Sequence, residues 1–212
     1  MKGHDKLKLK RNTAFIMAII GWATLIVRLK FRIETETVPT TESVLRFLSY
    51  FTILTNLLLT IYFTLIALFP KKQSFWNIPG ILTALAAFMA FVGVAYHLLL
   101  SALWNPTGIT YVTDQIHHTL APAVAVIFWY FYEVKEKVEF KGLVLTLIYP
   151  FLYLLWALYR GASADFYPYY FLDTAQLGTQ QVLVNTVLLF VVLAVFLLIF
   201  NGMNRWMAQK NK

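Results

Sequence analysis

Six long apolar runs, at about 14–33, 44–69, 78–104, 116–134, 143–159 and 182–200, constrain this chain more than any other feature. A helix crossing a bilayer needs about 20 predominantly apolar residues, because only an α-helix or a closed barrel satisfies its backbone in hydrocarbon. At about 1.5 Å per residue each run spans or nearly spans such a core. Composition agrees: 59% of the residues are apolar and 13% charged, against about 25% charged in soluble domains. The expected fold is all-α, a polytopic bundle of six transmembrane helices forming a single membrane domain over 1–212.

The first run is the weakest span, since Arg28, Lys30 and Arg32 must reach back toward the headgroups. A signal peptide is the rival reading, but only Arg-Leu-Lys-Phe-Arg follows, with no small-residue cleavage pattern. Thirteen of the 18 Lys and Arg fall on one side: the N-terminus, the loops around 71–72 and 135–141, and the tail. The exceptions are Arg28, Lys30, Arg32, Arg46 and Arg160. Basic residues gather in cytoplasmic loops, so both termini are expected in the cytoplasm of a cell membrane. The same argument assigns the net charge of +8 to topology rather than to nucleic acid. With no cysteine, disulfides, thiolate metal sites and a cysteine nucleophile are excluded.

Polar groups inside spans carry most of the functional information. Ser49, Thr52 and Asn56 are spaced to share one face of the second helix. His97 lies on the third helix, Asp114, His117 and His118 open the fourth, Arg160 ends the fifth, and Asn185 starts the sixth. Counted along each helix, Ser49, His97, His117, His118, Arg160 and Asn185 fall within about 10 Å of the outer surface, and no comparable set is read at the inner ends. A hydroxyl, imidazoles, a guanidinium and an amide thus converge on one layer. The stretch 161–181 joins the fifth and sixth helices and carries Asp165, Phe166, Tyr167, Pro168, Tyr169, Tyr170, Phe171 and Asp173. It reads either as an aromatic belt or as a lid over a cavity.

Each polar residue also has a plain structural explanation. Serine and threonine hydroxyls bond their own helix carbonyls, and histidines sit at interfaces. Asp114 can cap the fourth helix while orienting a histidine three or four residues on. A metal would have His97, His117, His118 and Asp114 as ligands. Adjacent histidines point about 100° apart on a helix, however, so neither a metal nor a cofactor is expected. Hydroxyl, imidazole and carboxylate together suit nucleophilic catalysis: Ser49 as nucleophile, His117 or His118 as base and Asp114 as its orienter, with Asn56, Arg160 or His97 at an oxyanion.

Three blocks resemble the prokaryotic six-helix membrane proteins (Pr-six-Pr) of the FAR-seventeen-a/androgen-induced superfamily. They are Arg46-Phe-Leu-Ser-Tyr-Phe-Thr-Ile-Leu-Thr-Asn56, His117-His-Thr-Leu-Ala-Pro122, and Tyr149-Pro150 with Tyr159-Arg-Gly161 and Tyr167-Pro-Tyr-Tyr-Phe-Leu-Asp173. Animal members of that superfamily are multi-pass threonine hydrolases of fatty acid esters of hydroxy fatty acids. The resemblance implies a lipid-like ester substrate in the prokaryotic inner membrane, Ser49 at the nucleophile position and His117 as the histidine. Thr52 and His118 are the alternatives, because serine replaces threonine here and a His-x-x-x-Pro pattern picks His118. Asp114 stands where the animal proteins have a second histidine. Tyr149, Asp165, Tyr167 and Asp173 fall in the same blocks as candidate substrate-binding residues. The alternative is a non-enzymatic lipid or small-molecule carrier using the same cavity, with membrane lipids as its partners.

Overall fold

The computed structural model describes residues 3–69, 78–133 and 140–210. Lys2, Lys71, Lys72, Lys135, Lys137 and Lys212, which enter the charge count, lie outside them. Nine α-helices are found among the described residues, with no strand: α1 (Gly3–Thr35), α2 (Thr40–Phe47), α3 (Phe51–Leu68), α4 (Ile81–Ala95), α5 (Gly108–Gln115), α6 (Ala121–Tyr132), α7 (Phe140–Thr146), α8 (Ile148–Ala164) and α9 (Thr174–Lys210). Among these residues five helices are long and apolar enough to cross a membrane: His4–Thr35, Phe51–Leu68, Ile81–Leu103, Val144–Ala164 and Thr174–Lys210. The chain is therefore an all-helical, multi-pass membrane protein.

The expected fourth span is helical from Gly108 through Tyr132 but does not join these five. Asp114, Gln115, His117 and His118 dilute its apolar character. On α9, Leu188, Val191 and Leu198 are more than half exposed. No water-soluble surface would carry such a stripe, whereas a lipid-facing one does.

Several expected boundaries shift. The second run is two helices, broken at 48–50 where Leu48 closes α2 and Tyr50 is extended. Ser49 lies in that break, so it does not share a helical face with Thr52 and Asn56. Asp114 sits within the helix that Gly108 opens and caps nothing. The long outer connection also shrinks: α8 runs to Ala164, Asp165 leaves it in the left-handed region (φ 49°), and α9 starts at Thr174 with a kink at Gly178.

Small residues let the helices approach closely, as in other membrane bundles. A Cβ on Gly21 would stand 2.2 Å from Thr60 Oγ1, so α1 meets α3 almost backbone to side chain. Gly93 of α4 similarly faces Pro122 and the carbonyl of His118. The main apolar core, which includes Phe63, Met89, Phe128, Trp129 and Leu197, fills the end where α1 and α9 have their chain termini. A smaller cluster around Phe51, Tyr153 and Leu172 joins α3, α8 and the 165–173 connection at the other end.

The end that holds the chain termini, expected to be the inner one, is more polar than expected. Glu133 Oε2 accepts from the backbone N–H and the hydroxyl of Thr83, both at 2.8 Å, and Trp129 Nε1 donates to the same hydroxyl at 3.0 Å. The side chains of Asn201 and Asn204 are buried there as well. The expectation of a polar layer at one end only is corrected, because these residues sit at span ends where apolar runs hide them.

Candidate functional site

Two helices depart from regular geometry at the same height. α4 continues as a π-helical turn over Tyr96–Leu100 and then a short 3-10 turn, and α5 passes into α6 through a π-helical turn over Ile116–Leu120. Single π-turns are rare and recur at functional sites because they re-aim side chains. These two carry Tyr96, His97, His117 and His118. Beside them the half expected to be the outer one opens into a cavity of about 490 Å³.

Of the residues expected at a site, four line this cavity: Thr52, Asp114, His117 and His118. Asp114 organises its floor. Its Oδ2 accepts from the Tyr96 hydroxyl at 2.5 Å, and its Oδ1 lies 3.3 Å from His118 Nδ1. His118 Nδ1 is also 3.0 Å from the Asp114 carbonyl, and its ring stacks on Tyr96 at 3.8 Å. An imidazole held through Nδ1 presents its other nitrogen in a fixed direction. His117 differs: it is 3% exposed, and its Nε2 is buried without a hydrogen-bond partner among the described residues. A buried polar atom left unpaired in a cavity wall is costly, and a bound group would relieve it.

Asn56 fixes this wall from behind, donating to the carbonyls of Thr52 (2.9 Å) and His117 (3.2 Å) and so tying α3 to the π-turn. Tyr169 closes the opposite side. Its hydroxyl oxygen accepts from the Thr52 N–H at 3.4 Å, and Pro168 and Tyr170 line the cavity with it. The 165–173 connection thus packs over the cavity, its Leu172 only 2% exposed.

The remaining candidates lie elsewhere. Ser49 is fully buried, but its hydroxyl donates to the Leu45 carbonyl at 2.7 Å and does not line the cavity, while its own carbonyl accepts from Tyr153. His97 points outward to Thr119. Tyr149 bonds Thr55, and Tyr167 bonds Thr174 with its ring packed on Gly161. Asp173 caps α9, accepting from the N–H groups of Ala175 and Gln176. Asn185 holds the Phe171 carbonyl. Of these, Tyr167, Asp173 and Asn185 build and anchor the cover rather than the cavity floor. Asp165 shapes it through its backbone.

Arg160 is nearly buried. Its Nη2 donates to Glu42 Oε1 at 2.5 Å, and Arg46 Nε donates to the same oxygen at 2.9 Å. The hydrogen bond from Arg46, with Arg160 adding to it against the opposing effect of burial, holds the Glu42 carboxyl below its ordinary value. This ion triad fastens α2 to α8.

Sequence reasoning passed over Tyr96, Tyr169 and Arg28. Tyr96 adjoins His97, so the histidine drew attention to the right turn through the wrong side chain. Among the described residues no three His, Cys, Asp or Glu gather as a metal site would require. No protein-family model matches the chain, and neither a curated protein nor a solved structure matches it. The resemblance to the Pr-six-Pr proteins rests on its motifs.

Proposed function

We propose that this protein is a six-span enzyme of the prokaryotic inner membrane, with both termini cytoplasmic, that hydrolyses lipid-like fatty acyl esters in the outer leaflet. The carrying observation is the buried, unpartnered Nε2 of His117 in the wall of a cavity that Thr52 also lines. Thr52 supports the nucleophile role better than Ser49, whose hydroxyl is committed to Leu45. Family resemblance supports the pairing of one hydroxyl with one histidine.

In this reading Thr52 Oγ1 attacks the ester carbonyl carbon and its proton passes to His117 Nε2. The tetrahedral intermediate collapses, the carbon–oxygen bond to the alcohol half breaks, and the alcohol leaves with that proton. Water, deprotonated by the same nitrogen, then attacks the acyl carbon; the bond to Thr52 Oγ1 breaks, that proton returns to Thr52, and the fatty acid is released. Tyr169, held at the Thr52 N–H, is the donor beside the developing oxyanion. Asp114 and Tyr96 keep His118 beside His117, where it positions the π-turn.

Turnover of a p-nitrophenyl acyl ester and labelling by a fluorophosphonate test this. Thr52→Ala and His117→Ala are each expected to lower turnover about 10²-fold or more and to abolish labelling. Full turnover in the double variant overturns the reading. Saturable lipid binding with neither turnover nor labelling would instead establish a carrier. Loss in Ser49→Ala alone would move the nucleophile to Ser49.

A further inference from the structure

Positive charge is misplaced in this chain. Arg28, Lys30, Arg32, Arg46 and Arg160 stand at the end expected to face away from the cytoplasm, where basic residues are usually sparse. Most have partners. Arg46 and Arg160 share Glu42, Arg32 pairs with Glu36 at 2.6 Å, and Lys30 lies 3.7 Å from Glu34 on the surface. Arg28 is the exception, with no carboxylate within ion-pair distance among the described residues. Its Nη1 reaches only the Thr110 carbonyl, at 3.4 Å, and its guanidinium lies 5.7 Å over Trp104.

Arg28 nevertheless lines the cavity, with Arg32 beside it. The Nε of Arg32 is buried and has no hydrogen-bond partner among the described residues. The cavity's own carboxylates are partly engaged: Glu36 Oε1 by Arg32, with its buried Oε2 unpaired among the described residues, and Asp114 by Tyr96 and His118. A half-buried guanidinium at membrane depth is unfavourable without close compensation, and the charge of Asp114 reaches Arg28 only through space while being shared with Tyr96 and His118. Next to it the wall turns apolar, with Phe47, Ile53, Leu100 and Leu103. One cavity therefore offers an under-used cationic fork and an alkyl-compatible wall.

We propose that Arg28, assisted by Arg32, binds the anionic head of an amphiphile, a carboxylate or phosphate, whose acyl chain lies along the apolar wall. A guanidinium fork matches either anion through two parallel hydrogen bonds. The inference uses the same cavity as the hydrolase reading and names its substrate class as anionic rather than neutral lipids. It does not depend on the ester chemistry.

Binding of dodecanoate, dodecyl phosphate and dodecanol to the full chain in neutral maltoside micelles, at alkaline pH, tests it without turnover. At least one anionic probe is expected to bind about tenfold more tightly than dodecanol. Preference for dodecanoate points to fatty acids or their esters, and preference for dodecyl phosphate to phospholipids. Arg28→Gln should abolish the preference while leaving dodecanol within about twofold. Equal binding of all three probes, or a preference that survives in Arg28→Gln, overturns the proposal. Should Arg28→Gln also lose dodecanol through misfolding, Arg28→Lys decides: a preference weakened severalfold supports the fork, and an unchanged one overturns it. Turnover that persists in the Thr52, His117 double variant would remove the hydrolase reading and leave this preference standing, so the two failures are separable.

Discussion

The two halves of the bundle put their buried polar groups to different uses. At the inner end the Glu133 carboxylate, where α6 stops, accepts an N–H of the first turn of α4 and the Thr83 hydroxyl, which Trp129 also reaches. An exposed helix start is closed by a charge of favourable sign, and rings such as Phe63, Phe128 and Trp129 pack around it with almost no exposure. At the outer end the same helices are broken or π-turned, and polar capacity is left over: His117 Nε2, Arg32 Nε and Arg160 Nε have no hydrogen-bond partner among the described residues. One half spends most of its polar groups on holding helices together, although Asn201 Oδ1 has no hydrogen-bond partner there among the described residues. The other keeps some in reserve around a cavity, an arrangement suited to ligands.

The largest test of that contrast exchanges a residue in each half. Trp129→Ala removes a ring that is 1% exposed and one of the two hydrogen bonds of the Thr83 hydroxyl, so a loss of about 3–5 kcal/mol in stability is expected. Turnover per folded molecule should stay within about twofold. His117→Leu should do the reverse. It replaces an unpaired buried nitrogen with an isosteric apolar group, which leaves stability unchanged or raises it by about 1 kcal/mol, while turnover collapses. Thermal unfolding in micelles beside ester turnover measures both. Stability lost in His117→Leu as deeply as in Trp129→Ala would show that the outer polar groups are structural too.

A smaller effect probes the seam between the halves. The Cβ added in Gly21→Ala would stand 2.2 Å from Thr60 Oγ1 and 2.9 Å from its methyl. Because Thr60 is held against α1, its side chain must turn or the helices must separate, and about 1–3 kcal/mol is expected to be lost. Thr60→Ala in the Gly21→Ala background should restore most of this, a coupling read by a double-mutant cycle. Purely additive losses would place the strain elsewhere.

How far the halves differ in legibility follows from the same physics. Apolar run length revealed the five spans found among the described residues, because the bilayer imposes it on sequence directly. The clustering of Thr52, Asp114, His117 and His118 was within reach too, since depth can be counted along each helix. The break at 48–50 was hidden, for no glycine or proline marks it, and Ser49 was therefore placed on a helical face it does not occupy. Asn105-Pro-Thr-Gly108 did signal an earlier helix start than 116, and it would have put Asp114 inside the helix. The π-turns leave no periodic trace over five residues. The Thr83–Glu133–Trp129 set was invisible because its members are 50 residues apart and each looks like an ordinary span end.

The smallest effect concerns the triad that closes the outer half from the side. Glu42 is a carboxyl held below its ordinary value, first by its hydrogen bond from Arg46 and then by Arg160. A carboxyl depressed in the folded chain stabilises it at pH above the unfolded value. That contribution disappears as the pH falls through the depressed folded value. Acidification should therefore loosen α2 from the end of α8, while neutral and alkaline pH leave the tie intact. Glu42 retains solvent access, with 22% of its side chain exposed, so screening keeps the effect small, no more than about threefold in local opening. Hydrogen exchange at 157–164, corrected for its intrinsic pH dependence, should show protection falling on the acid side in the wild-type chain. In Glu42→Gln protection should be lower at neutral pH and flat across the same range. If the substituted chain keeps the wild-type acid profile, Arg160 is held by its burial and by Trp156, and the ion triad contributes nothing to closing the outer half.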